Sequence, residues 1–144
     1  MVTRADSQTL KQKQIERYSD FNTTFEMNPF TGMLARATNE EAVKQSLRNI
    51  VLTECGERFY DSNKGSKIKQ SLFELFDVAM YDVAKIQLRG ALEFYEPRAR
   101  IIDIEFGPTA SDLDSNALRV KITFSVINIP GATLSLDLNV TRVR

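Results

Sequence analysis

Histidine and tryptophan are absent from these 144 residues, cysteine occurs once, and the charges cancel, 19 Lys and Arg against 19 Asp and Glu. Each absence removes a class of function. Without histidine there is no Ser-His-Asp or Cys-His site, no imidazole general base and no His-containing zinc site. Any chemistry falls to carboxylates, Lys, Tyr or Cys55. A lone cysteine makes no internal disulfide, and neither an apolar run of about 18 residues nor a secretory leader is present, so a reducing cytoplasm and no membrane are expected. The densest basic stretches, Lys11-Gln12-Lys13 and Lys64 to Lys69, are short and interrupted. With no net positive field to neutralise phosphates, nucleic acid is not an expected partner.

What is present is ordinary for a folded domain: 42% hydrophobic and 26% charged residues. A chain of this length buries about two thirds of its extended surface, enough for one core. Residues 1–17 are polar and read as a mobile or partner-ordered arm, and 18–144 as a single domain. Tyr18 to Met27 suits a short strand, and Asn28-Pro29 and Thr31-Gly32 punctuate a loop. Thr38 and Glu41 have capping-box spacing, which predicts a helix from about Asn39 to Glu54 with Val43, Leu47, Ile50 and Val51 on its apolar face. Gly56 is the expected stop. Ser66 is placed to cap a short helix burying Ile68, Leu72 and Phe73.

A longer helix is predicted from about Phe76 to Tyr95. Asp82, Lys85, Arg89 and Glu93 make one narrow charged stripe, and apolar side chains including Val83, Ile86, Leu88, Leu92 and Phe94 cover the rest. Such a helix is either sandwiched in the core or partly covered by another protein. After Pro97 the period becomes two: Ile102, Ile104 and Phe106, then Leu118 to Val126, then Leu134, Leu136, Leu138 and Val140. The expected fold is α+β, an antiparallel β-meander packed on one face by two longer helices and one short helix.

Carboxylate pairs are the remaining route to an enzyme, since glycoside hydrolysis needs two acids at about 5 to 9 Å. Glu93 with Glu96, and Asp103 with Glu105, have suitable spacing, but nothing in the sequence marks either pair as desolvated. Cys55 reads as a small core residue, and Asp112 and Asp114 as a solvated loop lacking the one-three-five pattern of a calcium site. No cofactor and no metal are expected. Two features are more unusual. Glu96-Pro97-Arg98 joins the apolar helix to the sheet, with opposite charges flanking a rigid residue, either as a helix stop with a local ion pair or as a fixed display for a partner. The last strand exposes Thr133, Ser135, Asp137, Asn139 and Thr141; at a sheet edge it would lack the Lys or Pro that blocks pairing with another chain. Between two strands of its own sheet it would have no such role.

Tyr18-Ser19-Asp20, the run from Glu41 through Gln45-Ser46-Leu47 and Asn49-Ile50, Gly56-Glu57-Arg58, Gly65, Leu72-Phe73-Glu74, Glu96-Pro97-Arg98 and Phe124-Ser125-Val126-Ile127 occur in an order that resembles the small baseplate wedge protein of contractile-tailed bacteriophages, which has a counterpart in type VI secretion baseplates. The family often has prolines and a Phe-Gly where this chain has Phe59, Ser62 and Lys64-Gly65. The resemblance implies a structural protein of the virion tail baseplate, assembled in the host bacterial cytoplasm. Glu96, Pro97 and Arg98 would dock on neighbouring wedge proteins, and a sheet edge would receive arms of the first sheath subunits by strand addition. The tail tube or hub are further partners it admits. Some descriptions of the family carry a lysozyme label, so a muramidase-like hydrolase using paired carboxylates is the alternative.

Overall fold

Alternation of apolar and polar side chains at period two lays down the sheet on which the helices pack. The computed structural model describes residues 17–71, 78–107, 117–127, 129 and 133–141. Their elements run β1 (Ser19–Phe21), β2 (Arg36–Thr38), α1 (Glu40–Leu52), α2 (Ile68–Ser71), α3 (Val78–Tyr95), β3 (Ala99–Gly107), β4 (Ala117–Val126) and β5 (Leu134–Thr141). The sheet is antiparallel in the order β3-β4-β5, and β1 pairs with β2 in a separate ribbon. Leu118, Val120, Ile122, Phe124 and Val126 of β4 are buried with Leu136, Leu138 and Val140 of β5, as their alternation predicts. Val43, Leu47, Ile50 and Val51 of α1 and Leu88 and Leu92 of α3 join them in one core. With two longer helices and a short one beside an antiparallel meander, the fold is α+β.

β3 departs from the expected phase. Ile101 stands opposite Phe124 and Asp103 opposite Thr123, so Ile102 is an extra residue in the ladder. This bulge shifts the inside-outside alternation by one. Ile101 and Ile104 are buried, whereas Ile102, expected on the covered face, is 47% exposed.

The helix ends also differ from expectation. Thr38 belongs to β2 rather than to a capping box; Asn39 is the N-cap, with φ 49° and no side-chain bond into the helix. Its Oδ1 instead accepts bonds from the Arg17 and Tyr18 amides, which hold the start of β1 against α1. α1 stops at Leu52, four residues before Gly56, because Thr53 turns extended. Ser66 does not cap α2: its hydroxyl donates to the Val51 carbonyl at 2.6 Å. Its amide donates to the Thr53 carbonyl at 2.9 Å, which closes the intervening loop. Ile68 is buried as expected. Leu72, Phe73 and the first predicted turn of the long helix at Phe76 lie outside the described residues, as do Asp112, Asp114 and all of the N-terminal arm except Arg17.

Two glycines give opposite expectations. A Cβ on Gly65 would lie 2.6 Å from the Thr53 carbonyl oxygen, on a residue with φ 149°, whereas one on Gly90, in the exposed middle of α3, would meet nothing within 4 Å. Gly65→Ala is expected to destabilise by about 1–3 kcal/mol through strain and overpacking. Gly90→Ala is expected to stabilise by about 0.5–1 kcal/mol through helix propensity. Urea denaturation of the two variants measures both.

Candidate functional site

The junction between α3 and β3 is built by one residue that cannot donate and one that cannot be left alone. The Glu96 amide donates to the Leu92 carbonyl at 2.9 Å, and Pro97 then has no N–H to continue the helix. The Ala99 amide turns back to the Glu96 carbonyl at 3.1 Å, and the Arg98 carbonyl accepts from the Ile127 amide at 2.9 Å. The chain thus enters β3 already tied to the end of β4.

The side chain of Glu96 points inward, with the residue only 2% exposed. Arg98 Nε and Nη2 donate to its Oε1 and Oε2 at 2.5 and 2.7 Å, a bidentate pair. Burial works against the charge on Glu96, but hydrogen bonds from Arg98 and from Ser46 on α1 outweigh it and hold the carboxyl below its usual range. The same pairing with Glu96 raises Arg98 further above its already high value. The guanidinium lies 5.5 Å from the centre of the Tyr18 ring, and the Tyr18 hydroxyl donates to the Ile127 carbonyl at 3.1 Å. One buried carboxylate therefore ties together α1, α3, the start of β1, β3 and the end of β4. The sequence offers no signal for Ser46 as a partner; it is a small polar residue on a helix until α3 crosses it.

Of the three residues singled out in the sequence, Glu96 is inside, Pro97 is exposed, and the Arg98 side chain is 32% accessible. The local ion pair is real, and what remains on the surface is the proline and one side of the guanidinium. The second candidate is resolved by topology: β5 is an edge strand, with β4 on one side and no strand on the other among the described residues. Thr133, Ser135, Asp137, Asn139 and Thr141 are all exposed.

Neither carboxylate pair is arranged for acid-base work. Glu93 is exposed while Glu96 is buried in its ion pair. Asp103 lies 3.0 Å from Lys85 and Glu105 lies 3.0 Å from Lys121. The bond from Lys85 keeps Asp103 below the ordinary carboxylate value, opposite to the shift a general acid needs. Cys55 is half-buried rather than buried, near the Asn63 carbonyl, because it sits in the loop beyond α1 and not in the core. Among the described residues no group of three His, Cys, Asp or Glu side chains is placed to hold a metal.

The surface carries apolar features, one in the connection between β1 and β2 that the sequence pattern did not single out and one on α3, whose apolar circumference it did. Phe25, Met27, Phe30 and Met33 of the β1–β2 ribbon are 67–96% exposed. The ribbon is held to α1 by Gln45, whose Nε2 donates to the Phe21 carbonyl at 2.6 Å. On α3, Ala84, Leu88 and Leu92 are buried but Ile86 and Phe94 are 72% and 77% exposed. The helix is thus half covered, because Lys85 and Arg89 of its charged stripe reach β3, at Asp103 and at the Ile102 carbonyl. Turning that side to the sheet leaves part of the apolar circumference outside.

Residues 37–130, well over half of the chain, match the baseplate wedge protein gp25 family. Baseplate wedge protein gp25 of Enterobacteria phage T4 is 29% identical over 113 residues, spanning 78% of this chain and 83% of the phage protein. A chain in the baseplate of the anti-feeding prophage superposes with a TM-score of 0.67 at 26% identity, covering 78% of this chain and 88% of that one. A Geobacter sulfurreducens protein provisionally named a tail lysozyme also gives 0.67, at 20% identity over 77% of this chain and 97% of its own. That last likeness carries the fold alone.

Removing Arg98 strands a buried carboxylate, so Arg98→Ala is expected to lose about 3 kcal/mol of stability. Because the folded carboxyl of Glu96 sits below its unfolded value, its contribution is complete above the ordinary carboxylate range and fades as pH falls through the lower folded value. The difference in Tm between wild type and Arg98→Ala, followed by circular dichroism, is therefore expected to be full near pH 7 and to shrink below about pH 4.

Proposed function

This chain belongs to the baseplate wedge protein gp25 family, which makes it a component of the contractile-tail baseplate, and on that premise we propose that it docks on neighbouring wedge proteins at the Glu96-Pro97-Arg98 turn and offers the outer edge of β5 to the sheath. The protein acts as a non-enzymatic adaptor, assembled with its partners in the host cytoplasm. The observation that carries this reading is the division of labour at the turn. Glu96, held inside by Arg98 and Ser46, fixes the direction in which Pro97 and the accessible side of Arg98 face. A rigid, preordered contact loses little conformational entropy on binding.

Two further observations support an assembly role. β5 lacks a strand on its outer side among the described residues, and its exposed face carries a single charge, Asp137, within a row of Thr, Ser and Asn. That is an edge with few of the devices that prevent strand addition. The exposed Phe and Met side chains of the β1–β2 ribbon and the outer face of α3 supply apolar anchors of the kind found at the centres of protein interfaces. A muramidase-like reaction is disfavoured by the lysine and arginine partners of Glu96, Asp103 and Glu105.

The Pro97 side chain is exposed, and although Pro97→Asp also adds an amide donor and frees φ at the helix end, the Glu96–Arg98 pair still holds the turn. The variant is therefore expected to keep the monomer Tm within a few degrees while abolishing pull-down by the neighbouring wedge proteins; retention of binding would place that interface elsewhere. With purified sheath protein added, alternate β5 amides are expected to become protected from hydrogen exchange. Unchanged exchange in a complex that still forms would remove β5 from the sheath contact.

A further inference from the structure

The wet face of the sheet is electrostatically ordered across the strands. Glu105 of β3 is directly opposite Lys121 of β4, and Lys121 is directly opposite Asp137 of β5. The row therefore alternates negative, positive, negative, and ends on a carboxylate at the open edge. Lys121 is engaged by Glu105 at 3.0 Å, and Asp137 has a looser contact, 3.6 Å, with Arg119 from the neighbouring row. The Asp137 side chain remains 49% accessible. Opposite charges on facing residues of adjacent strands attract and like charges repel, so the row specifies the sign of what comes next.

Resting on the strand-addition reading above, we propose that the segment received by β5 carries a lysine or arginine in register with Asp137, with apolar residues immediately before and after it. The flanking residues follow from the pleat. Neighbours of the basic residue point to the opposite face of the sheet, where Leu136 and Leu138 flank Asp137 and continue the buried surface. Residues two away from the basic one stand on the wet face beside Ser135 and Asn139, where Thr, Ser or Asn fit. The partner is thus an extended segment of the pattern apolar-basic-apolar, and a one-residue slip would send its charge into the core face.

Two nine-residue peptides, alternating Thr and Val about a central Lys or a central Glu with Val on either side, test this against the full chain, with the amide signals of residues 134–141 followed by NMR. Wild type is expected to bind the Lys peptide about five-fold more tightly than the Glu peptide, with the preference fading in 1 M salt. Asp137→Asn is expected to abolish the preference and Asp137→Lys to reverse it. If both peptides shift the β5 amides with equal affinity for all three proteins, the charge assignment is wrong although strand addition itself survives. If neither peptide moves those amides, the assignment and the strand-addition reading are overturned together. Concentration-dependent dimerisation of the protein alone, shifting the same amides, would give the edge to a second copy and overturn the proposal.

Discussion

A carboxylate taken out of water must be matched or neutralised, and the position of Glu96 makes that demand at the point where helix becomes sheet. Arg98 meets it from two residues away with both of its parallel donors, and Ser46 from a different helix. Each partner then constrains something else. Arg98 is held beneath the ring of Tyr18, whose hydroxyl fastens the end of β4, and Ser46 sets how closely α1 approaches the end of α3. A pair of this kind contributes modest net stability compared with well-packed apolar side chains, since desolvation cancels much of the attraction. Its stronger consequence is geometric: the exit of the chain from α3 has one direction.

That direction matters because the sheet is small. Three strands present one apolar face, which α1 and α3 share, and α3 also lies along β3, where Arg89 takes the otherwise outward Ile102 carbonyl. The β3 side of the sheet is thereby partly closed by the protein itself. The other side, at β5, has no such cover from a strand among the described residues. Both β3 and β5 are edge strands among the described residues, β3 beside α3 and β5 beside α1 and α2, and the alternating charges on the wet face favour one register over others for a strand added at β5, as proposed.

The likeness to a chain of the anti-feeding prophage baseplate and to a protein provisionally named a tail lysozyme shows the same fold under two functional labels. Fold alone does not choose between them, and the chemistry of the described acids favours the structural one. A glycosidase keeps one carboxyl protonated in an apolar pocket beside a second that is ionised. Here Glu96 and Asp103 are both held toward the ionised form by cations. The arrangement is that of structural ion pairs.

The sequence by itself determined the class of fold, because hydrophobic period is a local property: the alternation of β4 and β5 and the apolar stripe of α1 each reported its own buried face. It also singled out Glu96-Pro97-Arg98, since opposite charges around a proline at a helix end are visible in a line of text. Its resemblance to the wedge family rested on the same residues and on short motifs in order. The bulge at Ile102 was not legible, because the register depends on what β4 places opposite. Thr38 and Ser66 have the spacing of caps, and local spacing cannot show that Asn39 receives the Arg17 and Tyr18 amides or that Val51 offers its carbonyl to the Ser66 hydroxyl. Whether Glu96 faced solvent or the core, and whether β5 lay inside the sheet or at its edge, depended on contacts between segments far apart in the chain. Only the tertiary structure decided them, because burial and pairing are properties of the neighbours a residue acquires on folding.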